Sequence, residues 1–174
     1  MSSSIVLIGP RYSEKTQVGA ELSKLLEAPF IDIDNMFADI CKTSAEDFAE
    51  KYGVERFREY ESKLITKICA IYKDIQSILK PGAEAVVHDQ GDQYREENKK
   101  RLSEFGAVFY LLPVRDLEES AGILAERMRR YPAGQIPSLT RENHRHYLAA
   151  ADAVVYTEGK TVQEVANEIS QFIG

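Results

Sequence analysis

Three groups of residues in this chain have types and spacings suited to chemistry on a phosphorylated ligand. Gly9-Pro10-Arg11-Tyr12-Ser13-Glu14-Lys15-Thr16 directly follows the apolar run Ile5-Val6-Leu7-Ile8 and fits the pattern G-x-x-x-x-G-K-[ST] at Gly9, Lys15 and Thr16. In that pattern backbone N–H groups wrap around phosphate oxygens, the lysine supplies charge and the hydroxyl helps to hold Mg²⁺. Position 14 departs from it, because a glutamate stands where glycine would let the main chain approach the anion. A carboxylate about 4 Å from a phosphate costs roughly 1 to 4 kcal/mol, which is roughly a tenfold to thousandfold loss of nucleotide affinity. From the residues alone, an ordinary strand-to-helix turn ending in Lys-Thr stays open beside the phosphate loop.

The second group is Asp32 and Asp34, at the end of Pro29-Phe30-Ile31-Asp32-Ile33-Asp34. Read as a strand, this segment sends two carboxylates to one side, which suits metal and hydroxyl contacts; two solvated residues at a strand end is the plainer alternative. The third is Arg58 in Phe57-Arg58-Glu59-Tyr60-Glu61. A guanidinium is a fork of donors suited to a carboxylate, although by itself Arg58 reads as a surface arginine of a helix.

The elements that must position these groups alternate between strand and helix. A helix after the loop carries Val18, Leu22, Leu25 and Leu26, and Thr43-Ser44-Ala45-Glu46 reads as a capping box. Val54 to Lys80 reads as one long helical region, with Phe57, Leu64, Ile68, Ile71, Ile75 and Leu79 on its apolar face, ended by Pro81-Gly82. Ala85-Val86-Val87-His88 is then the expected third strand, Glu96 to Phe105 a helix, and Ala107 to Leu112 a fully buried strand. A helix from about Leu117 to Arg130, a Pro- and Gly-bearing loop at 131–141, a short helix, a strand at Ala153 to Tyr156 and a last helix behind Thr161-Val162-Gln163-Glu164 complete the chain. This alternation implies right-handed crossovers and a parallel sheet covered on both faces, with ligands at the carboxyl ends of the strands.

The bulk numbers agree with one compact α/β domain. At 174 residues, 44% hydrophobic and 29% charged, the chain can bury a full core without staples. A net charge of −6 argues against non-specific binding to nucleic acid or acidic membranes. Cys41 and Cys69 have no metal or redox spacing, and the sequence shows neither a leader pattern nor an apolar run long enough to span a bilayer, so the cytoplasm is the expected location.

Taken together, the loop, Phe30-Ile31-Asp32-Ile33-Asp34 and Phe57-Arg58-Glu59-Tyr60-Glu61 resemble the shikimate kinases, with Ile136-Pro137-Ser138-Leu139-Thr140 where that family has its lid and Tyr147 and Ala151-Asp152 like its C-terminal part. The resemblance implies a three-layer α/β/α fold with a five-stranded parallel sheet of the P-loop, nucleoside-monophosphate-kinase type, with a lid at about 131–142. It implies ATP-dependent phosphorylation of the 3-hydroxyl of shikimate, with ATP and Mg²⁺ as cofactors. Gly9, Ser13, Lys15, Thr16 and Arg129 are expected to hold the nucleotide, Thr16 and Asp32 the metal, and Asp34, Arg58, Gly91 and Arg141 the acceptor. Lys15 and Asp34 are the expected catalytic groups.

Three departures fall where the chemistry belongs: Glu14, Ile136 in place of a lid arginine, and His88-Asp89-Gln90-Gly91-Asp92 where the family has a Gly-Gly-Gly run, of which only Gly91 is kept. A lid arginine acting on the transition state is worth about 10³ to 10⁵ in rate where such fingers have been measured. Asn143 also replaces an arginine four residues before Tyr147, and His144 and His146 read as exposed polar groups. The expectation is weak or absent activity. The alternatives are a non-catalytic descendant that binds a ligand or a protein, and a kinase for another small hydroxylated acceptor.

Overall fold

The computed structural model describes residues 4–89, 92–130 and 139–173. Its framework is a five-stranded, all-parallel sheet of β1 (Ile5–Ile8), β2 (Phe30–Asp32), β3 (Ile78–Lys80), β4 (Ala107–Leu112) and β5 (Ala153–Tyr156), in the order β2-β3-β1-β4-β5. Around it lie α1 (Lys15–Leu26), α2 (Ile33–Cys41), α3 (Ala45–Tyr52), α4 (Val54–Ile71), α5 (Asp92–Phe105), α6 (Leu117–Arg130), α7 (Arg141–Ala150) and α8 (Val162–Phe172).

The two-residue period of the strands divides the core. Ile5 and Leu7 of β1 and Phe109 and Leu111 of β4 pack with Val18 and Leu22 of α1 and with Val165, Ala166 and Ile169 of α8. Val6, Ile8, Val108 and Tyr110 point the other way, among Phe37, Ile65, Ile68 and Leu102 from α2, α4 and α5. Both faces of the sheet are thus covered, as an all-parallel sheet requires, and the expected three-layer α/β/α architecture is the one found. Among the described residues no helix is long and apolar enough to cross a membrane.

The third strand lies earlier than the sequence suggests. The helix expected over Val54 to Lys80 stops at Ile71, and the chain returns as β3, which pairs with β1 and β2. Ile71 and Ile75, which extended the apolar stripe on paper, are 55% and 48% exposed. Leu79, read as the next turn of that stripe, is instead a fully buried strand residue. Ala85-Val86-Val87, expected as the strand, forms buried consecutive turns, with Ala85 N–H donating to Gly82 O and His88 N–H to Glu84 O (both 3.1 Å). Three buried apolar residues in a row carry no period that separates a strand from a buried turn.

Two helix starts also differ from expectation. Asp32 closes β2 and is the N-cap of α2, its Oδ1 accepting from the N–H of Asp34 (3.0 Å) and of Asn35 (3.3 Å). Asp34 therefore belongs to the first turn of a helix, and strand alternation is not what brings the two carboxylates together. Ser44, one residue beyond the expected Thr43, caps α3 by accepting from Asp47 N–H, whereas Thr161 and Glu164 form the reciprocal box as read.

Moving β3 moves the turn that faces a ligand. The carboxyl end of β3 is followed by Pro81-Gly82-Ala83-Glu84, and Gly82 of this turn lies against Asp34 and Glu61. Gly91 is outside the described residues. The turn is anchored from α7: the buried Tyr147 hydroxyl donates to Ala83 O at 2.6 Å, and its ring stacks on Tyr110 with centroids 4.9 Å apart. Replacing Tyr147 by Phe keeps the packing and leaves that carbonyl without this donor. Loss of such a buried bond costs about 1 to 3 kcal/mol, so the urea midpoint of Tyr147→Phe should fall with an unchanged m-value.

Candidate functional site

The loop after β1 keeps the backbone alternation of a phosphate nest although Glu14 stands in place of the second glycine of the pattern. Gly9 has φ 144°, and a Cβ there would lie 2.5 Å from Leu111 O on β4, so only glycine fits between the two strands. Tyr12 and Glu14 both sit in the left-handed region at φ 67°, with Glu14 as the N-cap of α1. Alternating right- and left-handed residues turn successive N–H groups inward, but a side chain in this region costs about 1 to 2 kcal/mol. Tyr12 was not singled out in the sequence.

Lys15 lies across the loop it belongs to, donating to Pro10 O (2.6 Å) and Ser13 Oγ (3.3 Å), while Ser13 Oγ donates to Pro10 O (2.7 Å). Burial above all, and then the Lys80 ammonium, pull the Lys15 amine down to about 7, against the opposing pull of Asp34 and Asp32. The Glu14 carboxylate leans toward Arg127, with Oε2 3.7 Å from Nη2. Arg127 also donates to Tyr12 O (2.7 Å) and Glu158 Oε2 (2.9 Å), so it braces the loop from α6. A cavity of about 600 Å³ opens here, bordered by Glu14, Lys15, Thr16, Asp34, Lys80 and Arg127.

The carboxylate pair is already occupied by a cation. Lys80, opposite Asp32 in the β2–β3 register, places Nζ 2.9 and 3.0 Å from the two Asp32 oxygens and 3.0 Å from Asp34 Oδ2. The residues present do not fit Mg²⁺ as the resemblance implies: with Asp32 Oδ1 on two backbone N–H groups and both oxygens on the Lys80 ammonium, a metal could reach Asp32 only beside that ammonium. Thr16 borders the cavity and is exposed.

Arg58 is likewise occupied. From α4 its Nη1 donates to Glu61 Oε1 (3.1 Å) and its Nη2 to Glu84 Oε2 (2.7 Å), and the guanidinium lies 5.0 Å from the Phe57 ring. Gly82 lets the turn pass between these groups, since a Cβ there would meet Glu61 Oε2 at 2.5 Å and Asp34 Oδ1 at 3.1 Å. Burial pushes the Glu61 carboxyl up to about 7; Arg58 opposes the shift, and Asp34 and Glu84 add to it.

The structure thus brings Lys15, Thr16 and Asp34 to one cavity, with Asp32 joined to them through Lys80. Arg129 is 70% exposed and pairs with Glu126 on its own helix, and it is Arg127, unmarked in the sequence, that reaches the loop. Arg141 is an exposed residue at the start of α7, and Ile136, like most of the expected lid, lies outside the described residues. His144 is half buried, with Nδ1 2.9 Å from the Tyr110 hydroxyl; burial lowers its pKa. His146 has Asp89 and Glu142 within ligating reach, but the Lys99 ammonium already lies 3.2 Å from its Nδ1. Sequence reading also passed over Lys80 and Glu84. Once β3 is placed at Ile78–Lys80, the opposition of Lys80 to Asp32 is the signal that would have found the first.

Two outcomes are expected. Glu14→Gly removes about 1 to 2 kcal/mol of left-handed strain, less about 0.5 to 1 kcal/mol for the added freedom of glycine in the unfolded chain. Its melting temperature should therefore hold or rise while calorimetric affinity for ADP increases at least tenfold. For Lys15, the unfolded chain keeps its proton up to 10.5 while the folded chain releases it near 7. Between these values the unfolded state binds more protons, so this group makes stability rise with pH. Lys15→Met should flatten that rise in urea titrations between pH 7 and 10.

Comparison with known proteins agrees with this fold. The shikimate kinase family model matches residues 13–174. A shikimate kinase of Francisella tularensis is 30% identical over 176 aligned positions, covering 99% of this chain and 95% of the relative. Shikimate kinase 2 of Syntrophotalea carbinolica is 32% identical over 141 positions, covering 80% of this chain and 72% of its own. Among solved structures, the shikimate kinase of Acinetobacter baumannii in complex with shikimate superposes with a TM-score of 0.78 at 21% identity, over 99% of this chain and 93% of that one. That of Aquifex aeolicus gives 0.70 at 24%, over 98% and 95%. Both likenesses speak to the fold, and the APS kinase of Mycobacterium tuberculosis, at a TM-score of 0.61 and 16% identity, extends it to other phosphotransferases. On the family match and the curated relatives, the chain belongs to the shikimate kinase family.

Proposed function

We propose that this chain is a shikimate kinase by descent whose transfer of phosphate from ATP to the shikimate 3-hydroxyl is weak or absent. The observation that carries this reading is the Arg58–Glu84 ion pair, 2.7 Å long. On the family resemblance Arg58 receives the shikimate carboxylate, and here a carboxylate of the same chain takes that place. Glu61 fills the other arm of the guanidinium, so an incoming acid must displace Glu84 and accept three carboxylates around it, those of Asp34, Glu61 and Glu84.

The remaining roles follow the same reading. The loop of Gly9, Ser13, Lys15 and Thr16, at the N-terminus of α1, is the seat for the nucleotide phosphates, where N–H groups and helix dipole favour an anion. Asp34 is the group that would orient the attacking hydroxyl, but one of its oxygens already accepts from Lys80 at 3.0 Å. Phosphoryl transfer rests on positioning and charge stabilisation, so an occupied Arg58, a shared Asp34 and Ile136 in the lid compound one another. Residues 1–174 act as a single domain with a lid at about 131–142, in the cytoplasm, without nucleic acid or membrane as partner.

A second reading, a kinase for a hydroxylated acceptor that lacks a carboxylate, is favoured by Asp34 bordering the cavity while Arg58 is engaged by Glu84. A panel of acceptors read by ATP consumption separates it from a non-catalytic role that binds a ligand or a protein. For the first reading the test is Glu84→Gly. Freeing a charge-assisted bond of about 1.5 to 3 kcal/mol should raise calorimetric affinity for shikimate at least tenfold over a wild type that gives little or no heat at millimolar ligand. Micromolar shikimate binding by the wild type, with family-like turnover, would overturn it.

A further inference from the structure

Lys80 occupies a position with a narrow chemical meaning. An ammonium has three donors and no acceptor, and three carboxylate oxygens lie 2.9, 3.0 and 3.0 Å from this one. Its side chain is 10% exposed and that of Asp32 9%. The arrangement is specified by the backbone, because β2 and β3 pair Asp32 with Lys80 directly and α2 begins by donating two N–H groups to the same carboxylate. Thr16, Asp34 and Lys80 border one cavity, so the ammonium lies where a hydroxyl and a carboxylate pair would otherwise gather a metal ion.

A divalent ion of the Mg²⁺ type needs near-octahedral oxygen ligands at about 2.0–2.1 Å. To enter here it would have to take carboxylate oxygens from Lys80 and leave a buried ammonium without its partners and next to a second cation. A buried charge is tolerated only while it is paired. We propose that Lys80 is a tethered cation that replaces the divalent metal at Asp32 and Asp34, so that a phosphate ligand on this loop meets lysine charge in place of metal charge. The proposal does not rest on the reading of the acceptor pocket, since it concerns the opposite side of Asp34 from the Arg58–Glu84 pair.

Mn²⁺ shares the oxygen preference of Mg²⁺ and its free form is counted by electron paramagnetic resonance, so binding can be read without turnover. The nucleotide-free wild type and Asp32→Asn should retain the same amount of Mn²⁺ up to millimolar concentration. Lys80→Ser should gain one site, at least tenfold tighter than anything the wild type holds, and Lys80→Ser with Asp32→Asn should lose it again. One Mn²⁺ bound by the wild type and lost in Asp32→Asn would overturn the proposal, as would a folded Lys80→Ser that gains none. Lys80→Met, which keeps the apolar stem, serves in the same comparison where Lys80→Ser does not fold, and the wild-type comparison needs neither. Turnover of shikimate by the wild type would count against the acceptor reading and leave the Mn²⁺ count unchanged.

Discussion

Charge cannot be left unpaired where the sheet ends, and much of the site follows from that constraint. Within a short span at the carboxyl edge lie Lys15, Lys80 and Arg58 against Asp32, Asp34, Glu61 and Glu84, most of them buried or nearly so. Lys80 satisfies Asp32 and Asp34, Arg58 satisfies Glu61 and Glu84, and Lys15 turns back on the carbonyl of Pro10. The site therefore holds its groups in position without a ligand, in contrast to a site whose like charges wait for one. Burial shows in the proton affinities: desolvation lowers the Lys15 amine and raises the Glu61 carboxyl, both to about 7.

Lys80 and Glu84 come from one turn. Lys80 ends β3 and Glu84 stands four residues on, with Gly82 between them thin enough to let Asp34 and Glu61 approach. Tyr147 holds the same turn from α7 through Ala83 O. A change confined to the β3 exit thus reaches the Asp32–Asp34 pair on one side and Arg58 on the other. Such economy is available because the ends of a parallel sheet converge on one crevice.

The fold was legible where hydrophobic period and punctuation agreed: β1 before Gly9, the six apolar residues of β4, and α8 behind its Thr161–Glu164 box all lie where the sequence puts them. It was not legible at β3, because Ile75 and Leu79 continue a helical stripe that the chain leaves after Ile71, and a three-residue strand is too short to show its own period. The loop motif and Asp34 could be marked by residue type and spacing, and Arg58 by the family resemblance. Their occupation by Lys80 and Glu84 could not, because ion pairs across 48 and 26 residues depend on which strand lies beside which. Arg127 and Arg129 differ only in the face of α6 they occupy, and composition alone does not distinguish them.

The Lys80 ammonium has a consequence for evolutionary reversibility. An ancestor that bound metal at Asp32 and Asp34 could acquire lysine at this strand end in one step, since the new ammonium found its partners already in place. The reverse step is harder, because any replacement for Lys80 uncovers two carboxylates of which one is buried and caps α2, and until a metal is captured their repulsion falls on the folding of β2 and α2. Lys80 thus works as a ratchet: once fixed, it makes recovery of the older site pass through a less stable protein, while Gly9 and the left-handed Tyr12 and Glu14 preserve the outline of a loop that can drift further.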